Sequence, residues 1–203
     1  KIIIATGGTG GHVFPAYSLA KHFIHNKINV EIISDKRGLR YLKDYHDLKI
    51  TQINSSTIFK KNIFQLLFST LIIFYSIFRS FIFLLMDRPT LVFGMGGYSS
   101  FPVCLAAKIL RIPFIIYENN LHVGKANRYL LPYANKIFVS YKELEGIPDK
   151  YKKKVFEIGN IIRKEILNFE VKNNFNNNQK IIKVLILGGS QAAKIFAEKL
   201  TKI

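Results

Sequence analysis

The chain holds 203 residues, 49% of them hydrophobic, enough for one buried core and part of a second. A formal net charge of +17 favours anionic partners, either phosphorylated substrates or an acidic membrane surface; the lysines are scattered without arginine–aromatic interleaving for base stacking, which sets nucleic acid aside. The single cysteine, Cys104, excludes an intrachain disulfide and any CxxC metal or redox motif.

The stretch Lys1–Asn26, KIIIATGGTGGHVFPAYSLAKHFIHN, opens with an apolar run of strand length, Ile2 to Ala5. A glycine-rich turn, Gly7 to His12, follows. Pro15 stands where a first helical turn is expected, and Ala16, Leu19, Ala20, Phe23 and Ile24 recur at helical spacing. Strand, glycine turn and helix make the first half of a βαβ unit, with free N–H groups at the helix start suited to an anion or a polar sugar. Because the chain opens directly in a strand, no secretory leader is read, and a reducing cytosolic setting is expected.

Further strands are expected at 29–33 and 48–53, with a short helix between them over 35–45. An almost wholly apolar helix is expected over 60–88. A strand at 90–93 then runs into a second glycine turn, Gly94-Met95-Gly96-Gly97-Tyr98-Ser99-Ser100. Pro102 opens a helix reaching about Leu110. A strand at 113–117 ends in Glu118-Asn119-Asn120, followed by a helix at 125–131 and strands at 136–140 and 155–158. The run FEVKNNFNNNQK, residues 169–180, buries nothing and reads as a linker or exposed loop. After it a strand at 181–187 leads to a third glycine turn, Gly188-Gly189-Ser190-Gln191. Alternating strands and helices argue for a parallel sheet covered on both faces. The third strand–glycine–helix unit cannot form a sheet alone, so the expected organisation is one α/β domain over 1–168, the linker, and the truncated start of a second domain over 181–203.

His12 closes the first glycine turn and is expected to face the crevice at the strand ends. It is read as a general base or a sugar-binding donor, with helix capping or loop anchoring as the plain structural alternative. Glu118 ends a buried strand, where a carboxylate is read as functional, and Asn120 offers an amide to sugar hydroxyls. The five histidines show no ligand spacing, so no metal site is read. A dinucleotide fingerprint fits poorly: Gly8-Thr9-Gly10 supplies two glycines, Val13 stands where the third belongs, and Asp35 is the candidate ribose ligand.

The motifs TGGTGGHVFPA, FGMGGYSSFP, YENN followed by GKANR, GNIIR and LGGSQAAK occur in that order. Together they resemble the MurG family of bacterial transferases, which move N-acetylglucosamine from UDP-N-acetylglucosamine to the lipid-linked muramyl-pentapeptide (lipid I) to make lipid II in peptidoglycan synthesis. The resemblance implies the GT-B fold of two Rossmann-like domains with the site in their cleft, an inverting transfer, and no cofactor or metal. It implies that Thr9, Gly10, Gly11, Asn120, Arg163 and Ser190 meet the donor. His12 and Glu118 are implied to be catalytic, with His12 as base. Gly8, Gly94, Gly96, Gly97, Tyr98 and Ser99 are implied to cradle the acceptor diphosphate. The chain departs from the family pattern at 117–120, usually His-Glu-Gln-Asn, at Ile161, usually proline, and at Ala192, usually glycine.

In the long helix, Gln65, Ser69, Ser76, Arg79 and Ser80 fall on one narrow stripe, and nearly everything else is apolar. Such a helix is buried or lipid-facing. The strands on either side belong to one sheet, which argues against a single crossing. The reading is a peripheral helix on the cytoplasmic face of the inner membrane, its serine stripe on the domain and Phe74, Phe78 and Phe81 in the lipid headgroups. A membrane-recruiting subunit of a split glycosyltransferase is the alternative, with a dinucleotide oxidoreductase behind it.

Overall fold

The computed structural model describes residues 1–55, 62–169 and 198. The chain divides into two compact units, Lys1–Leu167 and Asn168–Ile203. The strand expected at 181–187 and the third glycine turn with Ser190 lie outside the described residues, as does nearly all of the 169–180 linker.

The first unit runs β1 (Ile2–Ala5), α1 (Gly10–His25), β2 (Val30–Ser34), α2 (Lys36–Leu39), β3 (Ile50–Gln52), α3 (Ile63–Asp87), β4 (Leu91–Gly94), α4 (Ser100–Ile109), β5 (Phe114–Glu118), α5 (Lys125–Leu130) and β6 (Lys136–Val139). A 3₁₀ turn (Asp149–Lys154), β7 (Val155–Glu157) and α6 (Lys164–Leu167) close it. All seven strands are parallel, in the order β3-β2-β1-β4-β5-β6-β7. Their apolar runs suit a sheet buried on both faces. Side chains alternate between two cores. Ile3, Ala5, Val92, Ile116 and Ile137 meet α4 and α5 on one face. Ile4, Ile32, Phe93 and Tyr117 meet α1 and the Leu42–Leu48 turns on the other. The chain order reverses between β1 and β4, so the turns after these two neighbours flank a crevice at the sheet's carboxyl edge.

Several boundaries differ from expectation. The strands β2, β4 and β5 each run one residue further, to Ser34, Gly94 and Glu118. Helix α1 begins at Gly10 rather than Pro15. The Thr9 carbonyl accepts from the His12 and Val13 amides at 3.1 and 3.2 Å, so the first turn closes within the glycines. Pro15 sits in the second turn and lacks the N–H that would bond the Gly11 carbonyl. That oxygen accepts instead from Asn119 Nδ2 at 2.7 Å, tying the start of α1 to the turn after β5.

Helix α3 is capped by Asn62, whose Oδ1 accepts from the Phe64 amide. Its buried residues are Ser69, Ser76, Ser80 and Leu84. The small serines let the helix lie close to the domain, and Ser76 Oγ donates to the Asn54 carbonyl at 2.7 Å. Gln65 and Arg79, expected on the same stripe, are exposed at its margins. Phe64, Leu67, Phe68, Leu71, Phe74, Phe78 and Met86 are all more than half exposed. Phe81 departs from this set: it is half-buried and packs on the core beneath α4.

Candidate active site at the switch point

The two glycine turns meet over the β1–β4 pair. Gly96 and Gly97 adopt φ of 85° and 78°, which favours glycine. A Cβ on Gly97 would lie 2.5 Å from the Gly7 carbonyl oxygen, and one on Gly96 would lie 2.7 Å from His12 Nδ1. The backbone itself therefore forms the contact between the turns. No described group accepts from the Gly96 and Gly97 amides. Beside them lies a pocket of about 180 Å³, lined by His12, Gly96, Gly97, Tyr98, Glu118, Asn120 and the start of α5, Gly124 to Asn127.

His12 is the third residue of α1. Burial lowers its pKa below the ordinary 6.5, while the Glu118 charge and the Met95 backbone pull the other way. Its Nδ1 is buried and finds no well-formed hydrogen bond among the described residues. Asn127 Oδ1, on a residue of the same pocket wall, is likewise buried and unpartnered among the described residues. Both residues line the cavity.

Several expected site residues are engaged by groups within the fold. Glu118 is 2% exposed, and its carboxylate accepts from the Asn120 amide (3.2 Å), Asn120 Nδ2 (2.6 Å), the Gly124 amide (2.8 Å) and Asn127 Nδ2 (3.0 Å). With its oxygens so engaged, it shapes the 119–127 wall. Ser99 is fully buried and donates to the Thr6 carbonyl at 2.8 Å, so its hydroxyl braces the second turn from behind. Gly94 is a strand residue whose missing Cβ would meet Cys104 Sγ at 2.6 Å in the core. The Gly8 amide donates to Asp35 Oδ1 at 3.0 Å and is not free for a phosphate. Asp35, the candidate ribose ligand, is 3% exposed and also binds the Gly38 amide, Ser55 Oγ and Arg37, so it anchors the glycine turn internally.

Thr9, Gly10 and Gly11 form the cap and first residues of α1, and the Thr9 side chain makes no cap bond. Asn120 is exposed, its amide nitrogen held by Glu118 and its carbonyl oxygen left as the acceptor on offer. Arg163 lies over the Phe14 ring at 4.4 Å, two residues beyond His12 in α1. Among the described residues no three His, Cys, Asp or Glu side chains cluster as a metal site. Asn127 was not singled out from sequence, although it stands in GKANR three residues after a glycine.

A parallel sheet with two glycine turns meeting at its switch point, and a histidine in the first helical turn beside a polar pocket, describe a Rossmann-like domain. Residues 2–139 match the model of the glycosyltransferase family 28 N-terminal domain, and the chain belongs to that family. It is similar to the UDP-N-acetylglucosamine–N-acetylmuramyl-(pentapeptide) pyrophosphoryl-undecaprenol N-acetylglucosamine transferase of Pelagibacter ubique, at 37% identity over 97% of this chain and 53% of the relative. The transferase of that name from Rickettsia bellii is also 37% identical, over 98% of this chain and 54% of the relative. Among solved structures it resembles Acinetobacter baumannii MurG, with a TM-score of 0.63 and 25% identity over 77% of this chain and 44% of that one. The chain thus spans about half the length of the curated relatives it matches.

Proposed function

We propose that this chain is the acceptor-side half of an N-acetylglucosaminyltransferase that converts lipid I to lipid II. The observation that carries the reading is the pocket where His12 meets Gly96 and Gly97, whose amides have no acceptor among the described residues. The names of the relatives support the choice of sugar and acceptor. In the proposed reaction the muramyl 4-hydroxyl oxygen attacks the anomeric carbon of UDP-N-acetylglucosamine. The bond from that carbon to the diphosphate breaks, the configuration inverts, and the hydroxyl proton passes to His12. UDP leaves with the bonding pair. The Gly96 and Gly97 amides with Tyr98 hold the acceptor diphosphate. Thr9, Gly10, Gly11, Asn120 and Arg163 face the donor. Fixed dipoles and Arg163, rather than a metal, meet the growing charge.

The exposed face of α3 fits a peripheral position on an anionic membrane, where the lipid acceptor resides. An 18-residue window of the helix has a mean hydropathy of 1.9, and the helix is long and apolar enough to cross a bilayer. Yet β1 and β4, which bracket it in sequence, are hydrogen-bonded neighbours in one sheet, and this supports docking rather than crossing. The test is transfer of N-acetylglucosamine from the UDP-sugar to a lipid I analogue by the protein expressed from its natural reading frame. Turnover that His12→Ala lowers by about 10²-fold or more is expected. No turnover by the wild-type protein, or turnover indifferent to His12, overturns the reading.

A further inference from the structure

Tyr117 is 2% exposed, yet its hydroxyl has three partners. It lies 2.7 Å from Ser140 Oγ, donates to the Gly159 carbonyl at 3.1 Å and accepts from the Ile161 amide at 3.2 Å. One donor and two lone pairs satisfy all three bonds if Ser140 donates. Two of the bonds reach the segment Gly159–Arg163, which leaves the sheet after β7. Gly159 turns that segment at φ 76°, and a Cβ there would meet nothing within 4 Å. Around Gly159 itself there is no packing among the described residues, and the segment is held by these hydrogen bonds, by Asn160 Nδ2 donating to the Tyr141 hydroxyl at 3.1 Å, and by Ile161 packed on the core. Four residues further on, Arg163 is stacked on Phe14 of α1. The residue after Tyr117 is Glu118, which holds the pocket wall.

We infer that Tyr117 is a positioning residue, whose hydroxyl latches Gly159–Arg163 onto the end of β5 and so sets where Arg163 stands beside the glycine turns. The latch itself follows from the bonds above. Its consequence for donor binding rests on the proposed function.

Tyr117→Phe keeps the ring in the core and deletes the three bonds. In hydrogen exchange the Ile161 amide of the variant exchanges about tenfold faster than in the wild type, while amides of the β1 and β4 core keep their rates. In the protein from the natural reading frame, the KM for UDP-N-acetylglucosamine rises about fivefold, the equivalent of one hydrogen bond of about 1 kcal/mol. The KM for the lipid acceptor and kcat stay within twofold. Ser140→Ala removes the bond that does not reach the segment and leaves both readouts at wild-type values. An unchanged Ile161 exchange rate overturns the latch. Equal rises in both KM values, or the same changes in Ser140→Ala, reduce Tyr117 to a structural residue and overturn its positioning role. A wild-type protein without transferase activity overturns the proposed function alone, and the exchange experiment still decides the latch.

Discussion

His12 shows how one residue's chemistry depends on what surrounds it. Burial outweighs the nearby Glu118 charge and holds the imidazole pKa below the ordinary 6.5, which favours the neutral ring. The acid limb of kcat/KM is therefore expected below pH 6.5, and His12→Ala should remove it along with the loss in kcat. An unchanged kcat with a raised KM reassigns His12 to binding. Asp35 has the opposite task. Burial raises its pKa, but hydrogen bonds from Ser55, Gly38, Gly8 and Arg37 together hold it below 3.8. Its folded form therefore binds fewer protons than the unfolded chain near that pH. The stability it contributes is whole above pH 4 and fades as pH falls through the folded value. Asp35→Ala should cost about 1–3 kcal/mol at pH 7 in urea unfolding, with a smaller gap from wild type at pH 3. An equal gap at both pH values denies the carboxylate its role as anchor. Two departures from the family pattern also meet at this scale: the hydroxyl of Tyr117 accepts from the amide of Ile161, a bond that proline could not supply.

Helix α3 presents two faces of different character. Its serines and Leu84 pack on the domain, while Phe74 and Phe78, at 65% and 61% exposure, face outward. Phe81 belongs with the inner face. Phe74→Ser with Phe78→Ser should weaken binding to anionic vesicles and leave the circular dichroism and melting temperature unchanged. Phe81→Ser should instead lower the melting temperature, because it exposes a hole against the core. Each Lys or Arg near the bilayer contributes about 1 kcal/mol that salt screens, and the aromatic part resists salt. Binding should therefore weaken at high salt without vanishing. Binding that is equal on neutral and anionic vesicles removes the electrostatic part. Unfolding of the Phe74→Ser, Phe78→Ser protein makes α3 an ordinary core helix.

On the scale of the whole molecule, the described pocket lies within the first unit. The pocket brings together His12, two glycine amides without an acceptor among the described residues and an exposed asparagine, but the residues named for the nucleotide are few. With about half the length of its relatives, the 203-residue chain alone is expected to show no transfer from UDP-N-acetylglucosamine to a lipid I analogue. Turnover by this chain would place the whole donor site within it.

The α/β class, the two glycine turns and His12 were legible in the sequence because each depends on local signals: apolar runs of strand length, glycine clusters and helical periodicity. The serine stripe of α3 was legible for the same reason. Which side chain of a polar motif faces a ligand was not. Glu118, Ser99, Gly8 and Asp35 carry the residue types of a binding site, yet their donors and acceptors are taken by groups up to 93 residues away. Phe81 looked equivalent to Phe74 and Phe78 by helical spacing, and only the position of the core beneath α4 separated them. Tyr117 and Ile161, 44 residues apart, became partners because parallel strands bring their carboxyl ends to one edge of the sheet. Periodicity records which face of an element is apolar; hydrogen-bond partnership and burial depend on which elements become neighbours, and here that was decided by the order of strands in the sheet.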